Sequence, residues 1–304
     1  PAARLVTSFS GAGTVEAVLG GAESVGASEF DPAIMAQYNE AHGTDYAPQD
    51  VADIDPADIA ALNPDVYHAS PVCKNFSKAK RLGTATDLDR KSAESVAAII
   101  TEAQPPVVTI ENVPAYADTA LFKLITDALD QAGYTWDVVI HDAADYGAAQ
   151  SRKRMLLRAV KDGELPALPE KTAPGDWFAV IEDLIEAAPD STIPKWEMGR
   201  LRAMEGRGTI DFGQPIITMG GSAGRSVAAA SNAGGPSPTL KATPKEVPRI
   251  IMPDGRVKRV TPRMMARLMG LPDSYPVPEH HGLAKTVLGN GIHGETTRSL
   301  IQPL

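Results

Sequence analysis

Cys73 is the single cysteine of this 304-residue chain and the residue best suited to nucleophilic chemistry. It lies in residues 70–77, which have the sequence Ser-Pro-Val-Cys-Lys-Asn-Phe-Ser. A thiolate both attacks and leaves readily, so such a cysteine can form and then release a covalent adduct. Positive charge from Lys74 or Arg152 would favour the thiolate, because a free cysteine has a pKa of about 8.5. A lone cysteine is more often a small buried hydrophobic residue, so its surroundings must decide.

Three charged residues could assist such a nucleophile. Glu111 follows the β-branched run 107–110, and Arg152 and Arg154 lie in the sequence Gln-Ser-Arg-Lys-Arg. Taken singly, Glu111 could equally be a helix cap, and the arginines could be solvated surface charge.

A glycine turn at residues 9–13, Phe-Ser-Gly-Ala-Gly, would let the backbone approach a ligand closely. Glu29, at the end of the next predicted strand, could bind ribose hydroxyls, and Asp53 could reach an adenine amino group. Val15 and Glu16 follow Thr14, so the fingerprint G-x-G-x-x-G is incomplete. This favours a nucleoside cofactor without phosphates over the dinucleotide of a nicotinamide oxidoreductase, although a plain tight turn remains an alternative.

The elements that must position these residues alternate along the first half of the chain. Strands are predicted over residues 4–9, 23–28, 65–69, 107–110, 136–142 and 155–160, and helices over 15–19, 32–41, 56–62, 92–103 and 121–132. Such alternation predicts an α/β fold with a doubly wound, mainly parallel, Rossmann-like sheet. Ligands bind at the carboxyl ends of such strands. We expect the Gly11 turn, Glu29, Asp53, the Cys73 loop and Glu111 each to follow a strand there.

The domain organisation is predicted from where this alternation stops. Residues 1–160 would form a catalytic, cofactor-binding domain. Residues 161–254 are rich in proline and glycine and would form a small loop-rich domain for target recognition. Residues 255–304 would return to the catalytic domain, with a helix over 261–269 capped by Thr261.

Charge and composition restrict the partners. The net charge of −9 argues against nucleic acid, yet basic clusters lie around Lys74, Arg152 and Arg259. Phosphate contacts are local, so these clusters could bind DNA, or they could simply be solvated faces. We expect no membrane span and no leader peptide, since no apolar run is long enough. The single cysteine excludes a disulfide within the chain and a cysteine-rich zinc site, and it fits a reducing cytoplasm.

Six segments together resemble the DNA (cytosine-5) methyltransferase family, in the order that the family has them. They are the glycine turn 9–13, the Pro-x-Cys loop 70–77, Glu111-Asn112-Val113, residues 150–154, residues 259–273, and Gly289-Asn290. The resemblance implies a Rossmann-like methyltransferase fold that uses S-adenosyl-L-methionine and releases S-adenosyl-L-homocysteine. It further implies that a target cytosine is flipped out of double-stranded DNA, that Cys73 attacks carbon 6, and that carbon 5 receives the methyl group.

The resemblance also assigns residues. The catalytic residues would be Cys73, Glu111, Arg152 and Arg154. The resemblance implies that Glu111 hydrogen-bonds the base at its ring nitrogen and exocyclic amine, and that the two arginines hold the base oxygen and the cysteine loop. The cofactor would be held by Phe9, Gly11, Ala12, Gly13, Glu29, Phe30, Asp53, Ile54, Pro71 and Asn290. DNA would be contacted by Lys74, Ser77, Arg225 and Arg259. We expect a monomer without a metal, in the cytoplasm of a bacterial or phage-infected cell, with restriction-modification as its context. The short recognition region predicts a short or relaxed target sequence.

The chain departs from the family pattern at several positions. Val72 and Lys74 stand where proline and glutamine are usual, Thr14 replaces a glycine, and residues 291–295 lack prolines. Lys74 and the altered last segment raise the hypothesis of a carboxylated S-adenosylmethionine as donor. Two further alternatives remain: an RNA cytosine-5 methyltransferase of the same family, and a catalytically idle DNA-binding relative.

Overall fold

The computed structural model describes residues 1–71, 86–221 and 229–304. It separates into two compact units. The first unit comprises Pro1–His141, Lys153–Pro169 and Thr296–Leu304, and the second comprises Asp142–Arg152 and Glu170–Glu295. Of the segment 255–304, which the sequence suggested would return to the catalytic domain, only the last nine residues group with the first unit.

A six-stranded sheet forms the centre of the first unit. Its strands are β1 (Ala3–Ser8), β2 (Ala22–Ser28), β3 (Val66–Ala69), β4 (Val107–Asn112), β5 (Thr135–Asp142) and β6 (Lys153–Val160). Their order across the sheet is β2-β1-β3-β4-β6-β5. The pairs β1–β2, β1–β3 and β3–β4 are parallel, whereas β4–β6 is antiparallel. The predicted α/β, mainly parallel architecture is therefore confirmed.

The helices of this unit begin at the capping residues that the sequence provides. They are α1 (Pro32–His42), α2 (Pro56–Ala61), α3 (Asp87–Ala103) and α4 (Ala120–Gln131). Asp31 caps α1 by accepting from two backbone N–H groups, and Pro32 fits the first helical position. Thr86 and Asp89 form a reciprocal capping box at the start of α3.

The core of the first unit takes alternate residues from the central strands. Tyr67, Ala69, Val108 and Ile110 are completely buried and pack with α3 and α4 in one apolar cluster. Side chains alternate between the two faces of a strand, so the polar residues that intervene in β3 and β4 lie on the opposite face. That polar face carries His68 of β3 and Thr109 and Glu111 of β4.

Three local predictions were wrong. Residues 15–19 form turns and not a helix; the following Gly20 and Gly21 are poor helix formers that end the segment after about one turn. Asp53 lies in the 3-10 turn Val51–Asp53, not directly after a strand. Glu111 lies inside β4 and not after it.

The second unit contains more regular structure than its composition suggested. It has helices α5 (Trp177–Ile185), α6 (Lys195–Gly206), α7 (Pro262–Leu268) and α8 (His281–Asn290), and strands β7 (Ile216–Thr218), β8 (Ala230–Asn232), β9 (Arg249–Ile251) and β10 (Val257–Arg259). The strands form an antiparallel sheet in the order β10-β9-β7-β8. Three-residue strands are too short to show a recognisable alternation in the sequence. Within the described part of the chain, no helix is long and apolar enough to cross a membrane.

Candidate active site

The glycine turn after β1 has an unusual backbone conformation. Phe9, Gly11 and Gly13 have φ angles of 55°, 55° and 72°, in the left-handed region that favours glycine. A Cβ on Gly13 would lie 2.1 Å from Nε2 of His42, so the position accepts only glycine. A Cβ on Gly11 would instead meet nothing within 4 Å, which leaves the backbone there open to a ligand. Phe9 carries backbone strain of about 1–3 kcal/mol, of the kind that accumulates at functional sites.

Glu29 lies beside this turn at the end of β2. Its carboxyl accepts hydrogen bonds from the backbone N–H groups of Gly11 (3.2 Å) and Asp31 (2.9 Å). Burial raises the pKa of Glu29, and these backbone donors oppose the rise. The neighbouring Phe30 is 66% exposed, which is a large apolar surface to leave in water.

These features fit a nucleoside ligand. The Gly11 turn offers an open backbone, and the Glu29 carboxyl, which could accept from sugar hydroxyls, is hydrogen-bonded to it although it is 18 residues away in the chain. The exposed ring of Phe30 is next to Glu29 in the chain. Asp53 is exposed, whereas Ile54 packs against the core cluster of the unit. Ala12 is buried in the turn. The structure therefore brings the Gly11 turn, Glu29 and Phe30 together.

Glu111 and Arg154 form a partly buried ion pair between the adjacent strands β4 and β6. Nε of Arg154 lies 3.1 Å from Oε1 of Glu111, and their side chains are 19% and 7% exposed. The guanidinium also donates through Nη1 to the carbonyl of Lys153 at 2.7 Å. This confirms only that the two residues lie together; their catalytic roles remain predictions.

The other oxygen of Glu111 faces a second polar group. Oγ of Ser70 donates to Oε2 of Glu111 at 3.3 Å. Ser70 is in turn 3.2 Å from Nε2 of His68, whose Nδ1 lies 2.7 Å from Oγ1 of Thr109. His68 is 4% exposed, and burial lowers its pKa to about 3.

Asn112 holds the backbone that leads towards the cysteine. Its Nδ2 donates to the carbonyl of Pro71 at 3.0 Å, and its Oδ1 accepts from the N–H of Val113 at 2.9 Å. Pro71 stands two residues before Cys73 in the chain. The Glu-Asn-Val segment therefore has a structural role in addition to any chemical role of Glu111.

Arg152 belongs to the second unit and is 1% exposed. Its guanidinium donates to the carbonyls of Leu240 (2.9 Å), Gly289 (2.7 Å) and Gly291 (2.9 Å). Two of these carbonyls flank Asn290, the exposed last residue of α8. These contacts assign Arg152 a bracing role around Asn290, and contact with a substrate base stays a prediction.

Of the remaining predicted residues, one lies in the second unit and four lie outside the residues that the structure describes. Arg259 ends β10, and its Nε is buried without a hydrogen-bond partner. Cys73, Lys74, Ser77 and Arg225 lie outside the described residues. Among the described residues, no group of three or more histidine, cysteine, aspartate or glutamate side chains could hold a metal ion.

The sequence did not point to His68, and it assigned no role to Ser70 or Asn112, although both lie in segments that resemble the family. A signal for the first two was present, because polar residues recur at every second position of two otherwise apolar strands: His68 and Ser70 in one, Thr109 and Glu111 in the next. For Asn112, only the structure shows which carbonyl its amide holds.

Comparison with known proteins identifies the family of this chain. Residues 4–304 match the family described as C-5 cytosine-specific DNA methylase. The type II methyltransferase M.NlaX of Neisseria lactamica is 24% identical, with 99% of this chain and 96% of that protein covered. The type II methylase M.HgiDII of Herpetosiphon aurantiacus is 26% identical over 57% of this chain, which spans about half (51%) of that relative.

Solved structures share the fold. The Dnmt2 methyltransferase of S. pombe superposes with a TM-score of 0.70 and 15% identity, covering 100% of this chain and 98% of that one. At this identity the likeness concerns the fold alone. The family match, in contrast, covers nearly the whole chain and shows the family. This chain belongs to the C-5 cytosine-specific DNA methylase family, and its enzyme class is DNA (cytosine-5) methyltransferase.

Proposed function

We propose that the chain transfers a methyl group from S-adenosyl-L-methionine to carbon 5 of cytosines in double-stranded DNA, with Cys73 as the covalent nucleophile. The observation that carries this proposal is the partly buried Glu111–Arg154 pair. Glu111 lies on β4, and the residue after it, Asn112, donates a hydrogen bond to the carbonyl of Pro71. Pro71 is two residues before Cys73 in the chain. A carboxyl and a cysteine are the groups that activation of a cytosine ring requires.

Cys73 and Glu111 are the residues that would act on the cytosine ring. The thiolate of Cys73 adds to carbon 6, which makes carbon 5 nucleophilic. Glu111 would accept a hydrogen bond from the exocyclic amine and share a proton, taken up from solvent, with the ring nitrogen. That proton neutralises the charge that develops in the adduct. Once carbon 5 is methylated, a base removes its proton. The electron pair of the broken C–H bond restores the ring double bond and expels the thiolate of Cys73. Since carbon 6 is inaccessible inside a stacked duplex, the base must first be flipped out.

The cofactor would lie against the glycine turn. When bound, S-adenosylmethionine supplies a methyl group on a positively charged sulfur. Gly11 offers an open backbone, Glu29 would accept from the ribose hydroxyls, and the exposed Phe30 would cover the adenine ring. Asp53 and Asn290 complete the proposed set. The hypothesis of a carboxylated donor depends mainly on Lys74, outside the described residues, so methyl is the group that we propose.

Covalent trapping tests the mechanism. Duplex DNA containing 5-fluorocytosine is incubated with enzyme and S-adenosylmethionine and then run on a denaturing gel. Fluorine blocks the final proton loss, so the enzyme should stay attached. We expect a shifted band that requires the cofactor and disappears in Cys73→Ala. A band obtained with tRNA and not with DNA would mean that the substrate is RNA. A band that persists in Cys73→Ala would refute Cys73 as the nucleophile.

Glu111→Gln tests the role of the carboxyl with almost no change in shape. We expect the single-turnover methylation rate to fall by roughly 10²–10⁴-fold, the usual contribution of a positioned proton-transfer group. Glu102→Gln is the matched control, because Glu102 is an exposed carboxylate on α3 of the same unit. Equal rates for the two variants would exclude Glu111 from the chemistry.

A further inference from the structure

We propose that His68 is a positioning residue for Glu111: acting through Ser70, it fixes the direction of a hydrogen-bond chain that holds the carboxylate ready for the base. The inference rests on the proposed function, since it concerns the residue that would bind the flipped cytosine. His68 is buried and has no part in the methyl-transfer steps proposed for Cys73 and Glu111.

The hydrogen-bond chain consists of four residues on the polar face of the neighbouring segments that contain β3 and β4. His68 and Thr109 are direct partners in the parallel register of β3 and β4. Ser70 and Glu111 each follow two residues later, on the same face. The contacts run from Thr109 to His68 (2.7 Å), on to Ser70 (3.2 Å), and finally to Glu111 (3.3 Å).

The hydrogen count fixes the direction of this chain. His68 is neutral at working pH, because burial lowers its pKa to about 3. A neutral imidazole has one donor and one acceptor, and a hydroxyl has one hydrogen to give. Ser70 donates its hydrogen to Glu111 and must therefore accept from Nε2–H of His68. Nδ1 of His68 then carries no hydrogen and accepts from the hydroxyl of Thr109.

Every donor in the chain thus points towards Glu111. Oε2 of the carboxylate is held by Ser70 while Oε1 is held by Arg154, so the group cannot rotate freely. Without His68, the Ser70 hydroxyl would lose the partner that orients it. The distance of 3.3 Å is longer than usual for two oxygens, as catalytic hydrogen bonds often are before substrate binds.

A first experiment tests the chain without any activity. The imidazole nitrogens of ¹⁵N-labelled protein are observed by NMR at pH 6 to 8, and the His68 signals are assigned by their absence in His68→Phe. We expect a neutral ring protonated at Nε2. A ring protonated at Nδ1, or a charged ring, would overturn the proposal. Because this result does not depend on turnover, it separates failure of this inference from failure of the proposed function.

A double-mutant cycle tests the action through Ser70. His68→Phe and Ser70→Ala should each lower the single-turnover rate roughly tenfold or more, as expected for loss of a hydrogen bond to a charged group. The double variant should be no more than about twofold slower than Ser70→Ala, since both changes break one chain. If the rate loss of the double variant equalled the product of the two single losses, His68 would act independently of Ser70. That result would overturn the proposal.

The pH profile supplies the readout that a merely structural role would not move. The single-turnover rate is plotted against pH for the wild type and each variant. The limb of this profile that is lost in Glu111→Gln reports the titration of the Glu111 carboxyl. That limb should shift to higher pH in His68→Phe and Ser70→Ala, because loss of a donor disfavours the ionised form. Tyr134→Phe is the control. It removes another buried hydrogen bond, to Pro105 just before β4 at its opposite end, and should leave the limb in place. An unshifted limb in His68→Phe would contradict the proposal.

Discussion

At the scale of single residues, the buried His68 should make the protein sensitive to acid. Its pKa is about 3 in the folded chain and about 6.5 when unfolded. Above pH 6.5 both states are neutral and His68 contributes nothing. As the pH falls from 6.5 towards 3, the unfolded state binds the proton first, so the free energy of unfolding falls by up to about 1.4 kcal/mol per pH unit. Urea titrations of His68→Phe over this range should show a shallower decline than the wild type. Parallel curves would mean that the histidine titrates normally.

At the scale of elements, α8 must pass very close to a neighbouring backbone. A Cβ on Gly289 would lie 2.4 Å from the backbone N of Ala242, and the Gly289 carbonyl is bound by Arg152. Gly289→Ala should therefore destabilise the protein by about 1–3 kcal/mol. It should also weaken cofactor binding, because the next residue, Asn290, is one of the proposed cofactor contacts. Denaturant unfolding and calorimetric titration with S-adenosylmethionine measure the two effects.

The control for this element is another helical glycine. Gly199, in α6, has nothing within 4 Å of its Cβ position. Gly199→Ala should stabilise the protein by about 0.5–1 kcal/mol, because alanine is the better helix former. If both substitutions changed the free energy of unfolding in the same direction, steric contact would not be the reason for glycine at position 289.

At the scale of the whole molecule, a chain with net charge −9 can bind DNA only through cations that its own acids leave available. In the second unit, Arg256 is paired with Asp254 and Glu186. Arg259 forms no ion pair with any residue of the described ranges. Arg259→Gln should therefore reduce the slope of log affinity against log salt by about one, whereas Arg256→Gln should not. Fluorescence anisotropy of labelled duplex DNA at several salt concentrations measures the slope, and the reverse order of effects would reject Arg259 as a phosphate contact.

The sequence by itself determined the fold class, the family and most elements of the first unit. This was possible because strand and helix periods are local properties: the β-branched run 107–110 and the caps at Asp31 and Thr86 each act within a few residues. Glycine turns and motif spacing are local in the same way. Where local signals were short, as in residues 15–19 and in the three-residue strands β7 to β10, the prediction failed or gave only a loop-rich region.

Only the tertiary structure decided which polar groups meet. The register of β3 against β4 places His68 beside Thr109, and 41 residues separate Ser70 from the Glu111 oxygen to which it donates. Arg152 and Arg154 are two residues apart in the chain, yet one braces Gly289 and Gly291 while the other pairs with Glu111. Contacts of this kind depend on long-range packing and on the burial that follows from it. A sequence can nominate the residues for a site, but their partners, protonation and orientation are set by the folded chain.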